Sequence, residues 1–347
     1  MSNFHKLTVK QVIKETANAV SVLFDIPENL KPNFHFISGQ YITIKKEING
    51  EELRRAYSIC STPKRGDLKV AIKSVENGAF SVYATTQLKA GDVLDVAEPE
   101  GKFLLEPKPN KNYIAFAAGS GITPILSMVK TVLKSESSST FTLIYGNRTA
   151  AETVFKNKLD ELAAKFSNFN LHYISSRERQ ENALFGRIDK PFTNFYVKNK
   201  YKDIQFDEAF LCGPEEMITV VSDTLKESNI LPENIHFELF TPSSEEENLD
   251  QIKDGFTEIT VLLDDEETTF LMKQSDDILA ATLRNDLDSP YSCQGGVCSS
   301  CLAKVTEGKA VMVKNSILTD GEVEDGFILT CQAHPTTQKI SIDYDNV

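Results

Sequence analysis

The sequence predicts a multidomain chain: a small antiparallel β-barrel, then an α/β domain built on a parallel sheet, then an α+β domain that carries a cysteine loop. Three observations carry this. Up to about residue 106 the chain is a series of short alternating runs broken by Gly, Pro and Asn; residues 112–240 alternate apolar strand runs with helical patterns; and four of the six cysteines fall in the last sixth of the chain. At 347 residues the chain is also longer than one typical core.

The barrel segment, residues 1–106, contains "KLTVKQVIKE", "AVSVLFDI", "QYITIKKEI", "DLKVAIKSV" and "DVLDVAEP". Short strands at this spacing, separated by turn formers, suit an antiparallel barrel or sandwich. Residues 107–240 begin with the buried-strand run "YIAFAA", a "GSGITP" turn and the helical pattern "ILSMVKTVLK". "TFTLIYG", "NLHYISS", "AFLCG" and "NIHFELF" then alternate with helical patterns such as "AETVFKNKLDELAAKF" at 151–166, which implies a parallel sheet covered by helices. Residues 241–256, acidic and polar, read as a linker. The remaining 257–347 open with a hairpin pattern, "TEITVLLDDEETTFLM", turning at Asp264 to Glu267. A helix pattern, "SDDILAATLRNDL", follows, with Ser275 as its expected cap.

Composition excludes several classes. The longest apolar runs fall far short of the roughly 18 residues that suggest a membrane span. The start "MSNFHKLTVKQVIKET" reads as neither signal nor transit peptide, so a cytoplasmic location is expected. Six cysteines in a chain this size do not make a disulfide scaffold, and the five histidines show no metal-ligand spacing. The net charge of −13 is concentrated: residues 241–347 hold 21 acidic against 7 basic side chains. Such a surface disfavours nucleic acid and would steer a positively charged protein patch, or it is a solvated face that aids solubility.

The loop "YSCQGGVCSSC", residues 291–301, sets Cys293, Cys298 and Cys301 at x4 and x2 spacing, and Cys331 returns after 29 further residues. Structural zinc sites usually join two short knuckles. Three ligands on one loop with a lone fourth is the plant-type [2Fe-2S] spacing, with zinc or unligated thiols as the alternatives. Gly295 and Gly296 let the backbone fold tightly, and Ser299 and Ser300 are too small to obstruct a cluster. Such a group takes one electron at a time and needs a source upstream.

Four upstream motifs offer one. "RAYSICS" supplies Arg55 with the charge for a phosphate, Tyr57 to lie on an aromatic ring and Ser58 to hydrogen-bond a ring nitrogen, and "NGAFS" sets Gly78 and Ser81 toward a pyrophosphate. In "AFAAGSGITPILSMV", Gly119 and Gly121 allow close backbone approach ahead of a helix N terminus with Pro124 in its first turn. "FLCGPEEMI" repeats the strand, turn and helix with Cys212 at the strand's carboxyl end, although a buried core thiol reads equally well. Cys60 is expected in the core.

The order of these motifs over residues 5–240 resembles the ferredoxin-NADP reductase superfamily, and residues 257–347 resemble a plant-type ferredoxin domain, whose fold is a β-grasp. The resemblance implies a flavin-binding barrel, with FAD held by Arg55, Ala56, Tyr57, Ser58, Lys73, Gly78 and Ser81. It implies a nicotinamide nucleotide held by Gly119, Gly121, Thr123, Pro124, Gly213 and Pro214, with Ser58 and Cys212 flanking the hydride path. Ser176 and Arg177 of "YISSRERQ" match the pair that relatives place on the adenosine 2'-phosphate, so NADPH is expected, with Arg187 a second candidate. Glu238 and Phe240 of "HFELF" match residues that approach the flavin in relatives, and core packing is the alternative. The flavin, nucleotide, ferredoxin order is similar to reductase components of multicomponent oxygenases, and the "SSRE" and cysteine loops look most like those serving a di-iron oxygenase. The expected chain is thus NADPH, FAD, [2Fe-2S] cluster at Cys293, Cys298, Cys301 and Cys331, then a di-iron oxygenase docked on the acidic ferredoxin domain. An NADH-dependent reductase of another aromatic-ring or Rieske oxygenase would share every motif. A non-enzymatic redox sensor would keep the cluster without needing the nicotinamide loop.

Overall fold

In the first strand, Phe4–Thr16 (β1), and its neighbour Ala19–Asp25 (β2), apolar side chains such as Leu7, Val9 and Val22 turn inward and leave no exposed surface. Tyr41–Ile48 (β3), Glu51–Ser58 (β4), Leu68–Lys73 (β5) and Val93–Ala97 (β6) complete a six-stranded sheet in the order β4-β3-β6-β1-β2-β5. An antiparallel bridge from Ile59, just past β4, to Val70 of β5 links the two outer strands and closes the sheet on itself. One helix, Ala79–Thr86 (α1), lies between β5 and β6, and Phe80 buries against the barrel core. The computed structural model describes residues 4–240 and 248–347, so part of the expected linker, 241–247, lies outside the described residues. Two compact units result, one formed by residues 4–53 and 57–240, the other holding residues 248–347.

The second half of the first unit alternates as its sequence requires. Asn112–Ala118 (β7), Ile122–Ser135 (α2), Thr140–Asn147 (β8), Lys156–Lys165 (α3), Phe169–Ser175 (β9), Ala183–Phe185 (β10), Lys190–Asn194 (α4), Glu208–Cys212 (β11), Glu215–Lys226 (α5) and Ile235–Glu238 (β12) follow in turn. Every strand pair is parallel, in the order β10-β9-β8-β7-β11-β12. The chain therefore proceeds from β7 to one side and later returns to the other, and the β7/β11 boundary is the switch point where such sheets bind ligands. The helix expected over 151–166 starts only at Lys156. Before it, Phe155 takes φ +61 and buries its ring in the core, a conformation that breaks the helical pattern and satisfies packing instead.

The second unit mixes strand directions. Phe256–Leu263 (β13), Glu266–Lys273 (β14), Ile278–Arg284 (α6), Leu302–Glu307 (β15), Ala310–Met312 (β16), Asp320–Glu324 (α7), Phe327–Leu329 (β17), Ala333–Pro335 (β18) and Lys339–Asp343 (β19) form it. A five-stranded sheet, β14-β13-β19-β15-β17, holds one parallel pair, β13 with β19, and buries α6 through Ile278, Leu279 and Ala281 in the manner of a β-grasp. The hairpin turns on two residues, Asp264 and Asp265, both left-handed at φ +55 and +60, the geometry whose twist matches antiparallel strands. Asp277, not Ser275, caps α6: its carboxylate accepts the Ala280 N–H at 2.8 Å. Three adjacent cap formers precede this helix, and the one next to Ile278 fits because Ile278 is the first side chain drawn into the core. Among the described residues, no helix is long and apolar enough to cross a membrane.

Candidate functional site

Two turns meet at the carboxyl edge of the parallel sheet. Gly119 to Gly121 joins β7 to α2, and a Cβ at Gly121 would stand 2.1 Å from the Cys212 carbonyl oxygen. Only glycine lets this turn close over the end of β11. Gly119 has φ +56 and nothing within 4 Å of where its Cβ would lie, which leaves open space above the turn, while Tyr145 OH donates to its carbonyl from beneath at 2.9 Å. Thr123 Oγ1 donates to Ser120 O at 3.1 Å and fixes the first turn of α2. No side chain caps the start of α2, so its first N–H groups and dipole are suited to a phosphate.

Cys212 and Glu238 are register partners across β11 and β12, and Ser58, at the end of the barrel strand β4, donates its hydroxyl to Glu238 Oε2 at 3.1 Å. Burial pushes the Glu238 carboxyl up to about 8, against the downward pull of the Ser58 bond. Burial, with the Glu238 charge behind it, raises the Cys212 thiol well above its usual value. Both shifts favour the uncharged forms of Glu238 and Cys212. Sequence reasoning named Ser58 and Cys212 and left Glu238 open; the contact that joins them crosses 180 residues of chain. Phe240 is exposed.

The barrel residues are less alike than their motif suggests. The Tyr57 ring lies 5.6 Å from Phe80, tilted by 34°, and is half-buried, as are Ala56 and Lys73. Arg55 is exposed, its Nη1 donating to the Arg54 carbonyl at 2.7 Å. The Ser81 hydroxyl is engaged within its own turn: it accepts from Val75 N at 3.2 Å and donates to Gly78 O at 3.1 Å. What the turn offers a ligand is therefore the start of α1 beside Gly78 rather than a free hydroxyl.

At the end of β9, Ser176 N donates to Asn147 O at 3.0 Å and Arg177 N to Arg148 O at 2.9 Å, zipping this loop to the one after β8. Arg177, Arg148 and, beyond β10, Arg187 are all exposed. Arg148 was not singled out from sequence, since nothing in "GNRTA" marks it until the two loops are brought together.

In the second unit the four sequence-predicted thiols converge as two pairs. Cys293 and Cys298 sulfurs lie 3.1 Å apart, and Cys331 is the neighbour that most raises the Cys301 thiol. Thr330 N and Oγ1 both donate to Cys301 O at 3.1 Å and hold the two segments together. The bond from Cys298 draws the Cys293 thiol down to about 6, helped by N–H groups of Gly295, Val297 and Cys298 and opposed by burial; Gly295 N is 3.3 Å from the sulfur. Cys298 and Cys301 are pushed up by their neighbouring thiols, Cys293 and Cys331, and by burial. Among the described residues no three His, Cys, Asp or Glu side chains surround a single point. A donor set of two thiol pairs, with backbone N–H groups turned to the sulfur, fits a two-iron group better than one tetrahedral ion.

Fold and sites together define an oxidoreductase that joins a flavin domain, a nicotinamide nucleotide domain and a ferredoxin domain. Residues 6–104 match the oxidoreductase FAD-binding domain, 116–223 the oxidoreductase NAD-binding domain and 261–336 the 2Fe-2S iron-sulfur cluster binding domain. The chain belongs to the family of the E subunit of 1,2-phenylacetyl-CoA epoxidase: it is 38% identical over 351 aligned positions to that protein from Escherichia coli (strain K12), covering 99% of each. It is 30% identical to the ferredoxin reductase component of 3-ketosteroid-9-alpha-monooxygenase from Rhodococcus rhodochrous, covering 97% of this chain and 96% of the relative. The solved phthalate dioxygenase reductase, at 24% identity, shares the fold with a TM-score of 0.63 over 98% of each chain.

Proposed function

We propose that the chain is the NADPH-dependent reductase of a di-iron oxygenase that epoxidises phenylacetyl-CoA. The observation that carries the electron-transfer reading is the meeting of Ser58 with Glu238 beside Cys212, because it joins the flavin-binding and nucleotide-binding halves at one point. The likeness over the whole chain to the epoxidase component supports the choice of partner. A bound flavin supplies conversion of an electron pair to single electrons, and a [2Fe-2S] group carries them one at a time.

The chain's own residues supply placement and protons. Arg55, Ala56, Tyr57, Ser58, Lys73, Gly78 and Ser81 hold FAD: the Arg55 guanidinium takes a phosphate, Tyr57 with Phe80 behind it lies along the ring, and the turn before α1 takes the pyrophosphate. Gly119, Gly121, Thr123, Pro124, Gly213 and Pro214 cradle the nucleotide at the switch point, and Ser176 and Arg177 take the 2'-phosphate, which favours NADPH. Cys212 and Ser58 flank the reacting atoms, with Glu238 as the proton holder behind them. Cys293, Cys298, Cys301 and Cys331 hold the cluster, and the acidity of residues 241–347 fits a basic face on the oxygenase. The likeness to the ketosteroid monooxygenase component supports a second reading, a reductase with a different oxygenase partner. Anaerobic addition of NADPH or NADH, followed at the flavin and cluster absorption bands, tests the proposal. NADPH is expected to bleach both in turn, and a cluster that stays oxidised would sink it.

A further inference from the structure

Gln332 follows the ligand Cys331 and is only 8% exposed. Its Nε2 stands 2.7 Å from Cys331 O, 3.1 Å from Gln294 O and 3.8 Å from Cys331 Sγ. The two nearer partners are carbonyl oxygens, which only accept, so the carboxamide must turn its NH2 group toward them. One side chain thereby spans both segments that carry the cysteines. Gln294, between Cys293 and the glycines, takes φ +53, a left-handed conformation uncommon for a residue with a Cβ. The Gln332 backbone is pinned on both sides, its N–H donating to Leu329 O and its carbonyl accepting from Val313 N, each at 2.9 Å. The amide is therefore held in place by the sheet around it rather than by the loop it reaches.

We propose that Gln332 is a positioning residue for the cluster: its amide clasps the Gln294 turn to the Cys331 segment and so sets the positive end of its dipole beside the Cys331 sulfur. The inference rests on the [2Fe-2S] reading of the four thiols. Hydrogen bonds to ligand sulfurs are one of the levers that set the reduction potential of such groups, because a donor stabilises the extra negative charge of the reduced form. Gly295 N does this from the backbone at Cys293, and at Cys331 the Gln332 NH2 group, its hydrogens on the two carbonyls, stands 3.8 Å from the sulfur and acts through its dipole. Gln332 thus makes the cluster easier to reduce and slower to lose.

The test uses the full chain with its cofactors and two variants, Gln332→Met, which keeps the length and removes the N–H, and Gln332→Glu, which keeps the shape and adds negative charge. Midpoint potentials come from anaerobic redox titration read by absorbance and electron paramagnetic resonance, and cluster release is timed with an iron chelator. Both variants are expected to titrate at lower potential, Glu lower than Met, with release severalfold faster. A tenfold shift of the one-electron equilibrium would read as about 59 mV. Unmoved potentials in both variants overturn the inference even if release quickens, since a purely structural clasp would do that alone. If Gln332→Met fails to hold the cluster, the potential of Gln332→Glu decides by the same criterion. A wild-type chain without cluster bands overturns the parent reading and this inference together, whereas wild-type bands with unmoved variants overturn this inference alone.

Discussion

Replacing Glu238 with Gln isolates the consequence of burying a carboxyl at the meeting point of the two halves. The folded chain raises this group from 4.5 to about 8, with burial as the cause. A carboxyl whose folded pKa is raised binds its proton more tightly when folded, so it contributes no penalty below about pH 4.5, where both states are protonated. The penalty then grows as pH rises and levels off above about pH 8. At 1.36 kcal/mol per unit, it amounts to about 3 kcal/mol at pH 7 and about 5 kcal/mol above pH 8. A glutamine side chain at this position keeps an oxygen to accept the Ser58 bond and carries no charge, so it escapes the penalty. Glu238→Gln is therefore expected to match wild type near pH 4.5 and to melt higher as pH rises, by roughly 6–12 °C at pH 7 for a unit of this size. Thermal melts followed by flavin fluorescence from pH 5 to 9 measure the gap. A gap that stays constant across this range, or a less stable variant at pH 9, would refute the burial argument.

Gly121→Ala sets a methyl 2.1 Å from a backbone oxygen that has little freedom to move, so stability should fall by about 1–3 kcal/mol and the KM for NADPH should rise. Unchanged melting and KM would show that the turn does not need its close approach to β11. On the proposed 2'-phosphate contact, Arg177→Ala would lose a charge-assisted bond of about 1.5–3 kcal/mol, so the KM for NADPH should rise at least tenfold while that for NADH stays put; equal changes in both would remove Arg177 from the 2'-phosphate. Raising ionic strength should slow electron delivery to the oxygenase more than NADPH-driven dye reduction, and equal slowing would argue against docking on the acidic segment.

The two kinds of periodicity made most of the fold legible: alternation gave β1, β2, β3, β5 and β6, and apolar runs separated by helical patterns gave the parallel sheet. The cysteine spacing likewise carried its own meaning, because the loop between Cys293 and Cys301 is local. What escaped was set by partners distant in the chain. The sequence alone cannot choose among the three cap-forming residues in a row before α6 and favours Ser275; only the depth of Ile278 selects Asp277. The segment "AFSVYATT" carries aromatic and β-branched residues of weak helix propensity, so α1 follows from the seat Phe80 finds in the barrel and not from local preference. Glu238 gained its standing only when β12 paired beside β11 and brought it to Ser58, and Arg148 only when backbone bonds zipped two loops together.

In the proposed path, electrons taken from the nicotinamide leave the chain through the four-cysteine site. Cys298→Ala tests it most directly, with NADPH-driven flavin bleaching and electron delivery to a phenylacetyl-CoA epoxidising oxygenase measured on the same preparation. Flavin bleaching is expected at the wild-type rate, with loss of the cluster bands and no delivery to the oxygenase. Delivery at the wild-type rate without those bands would contradict it.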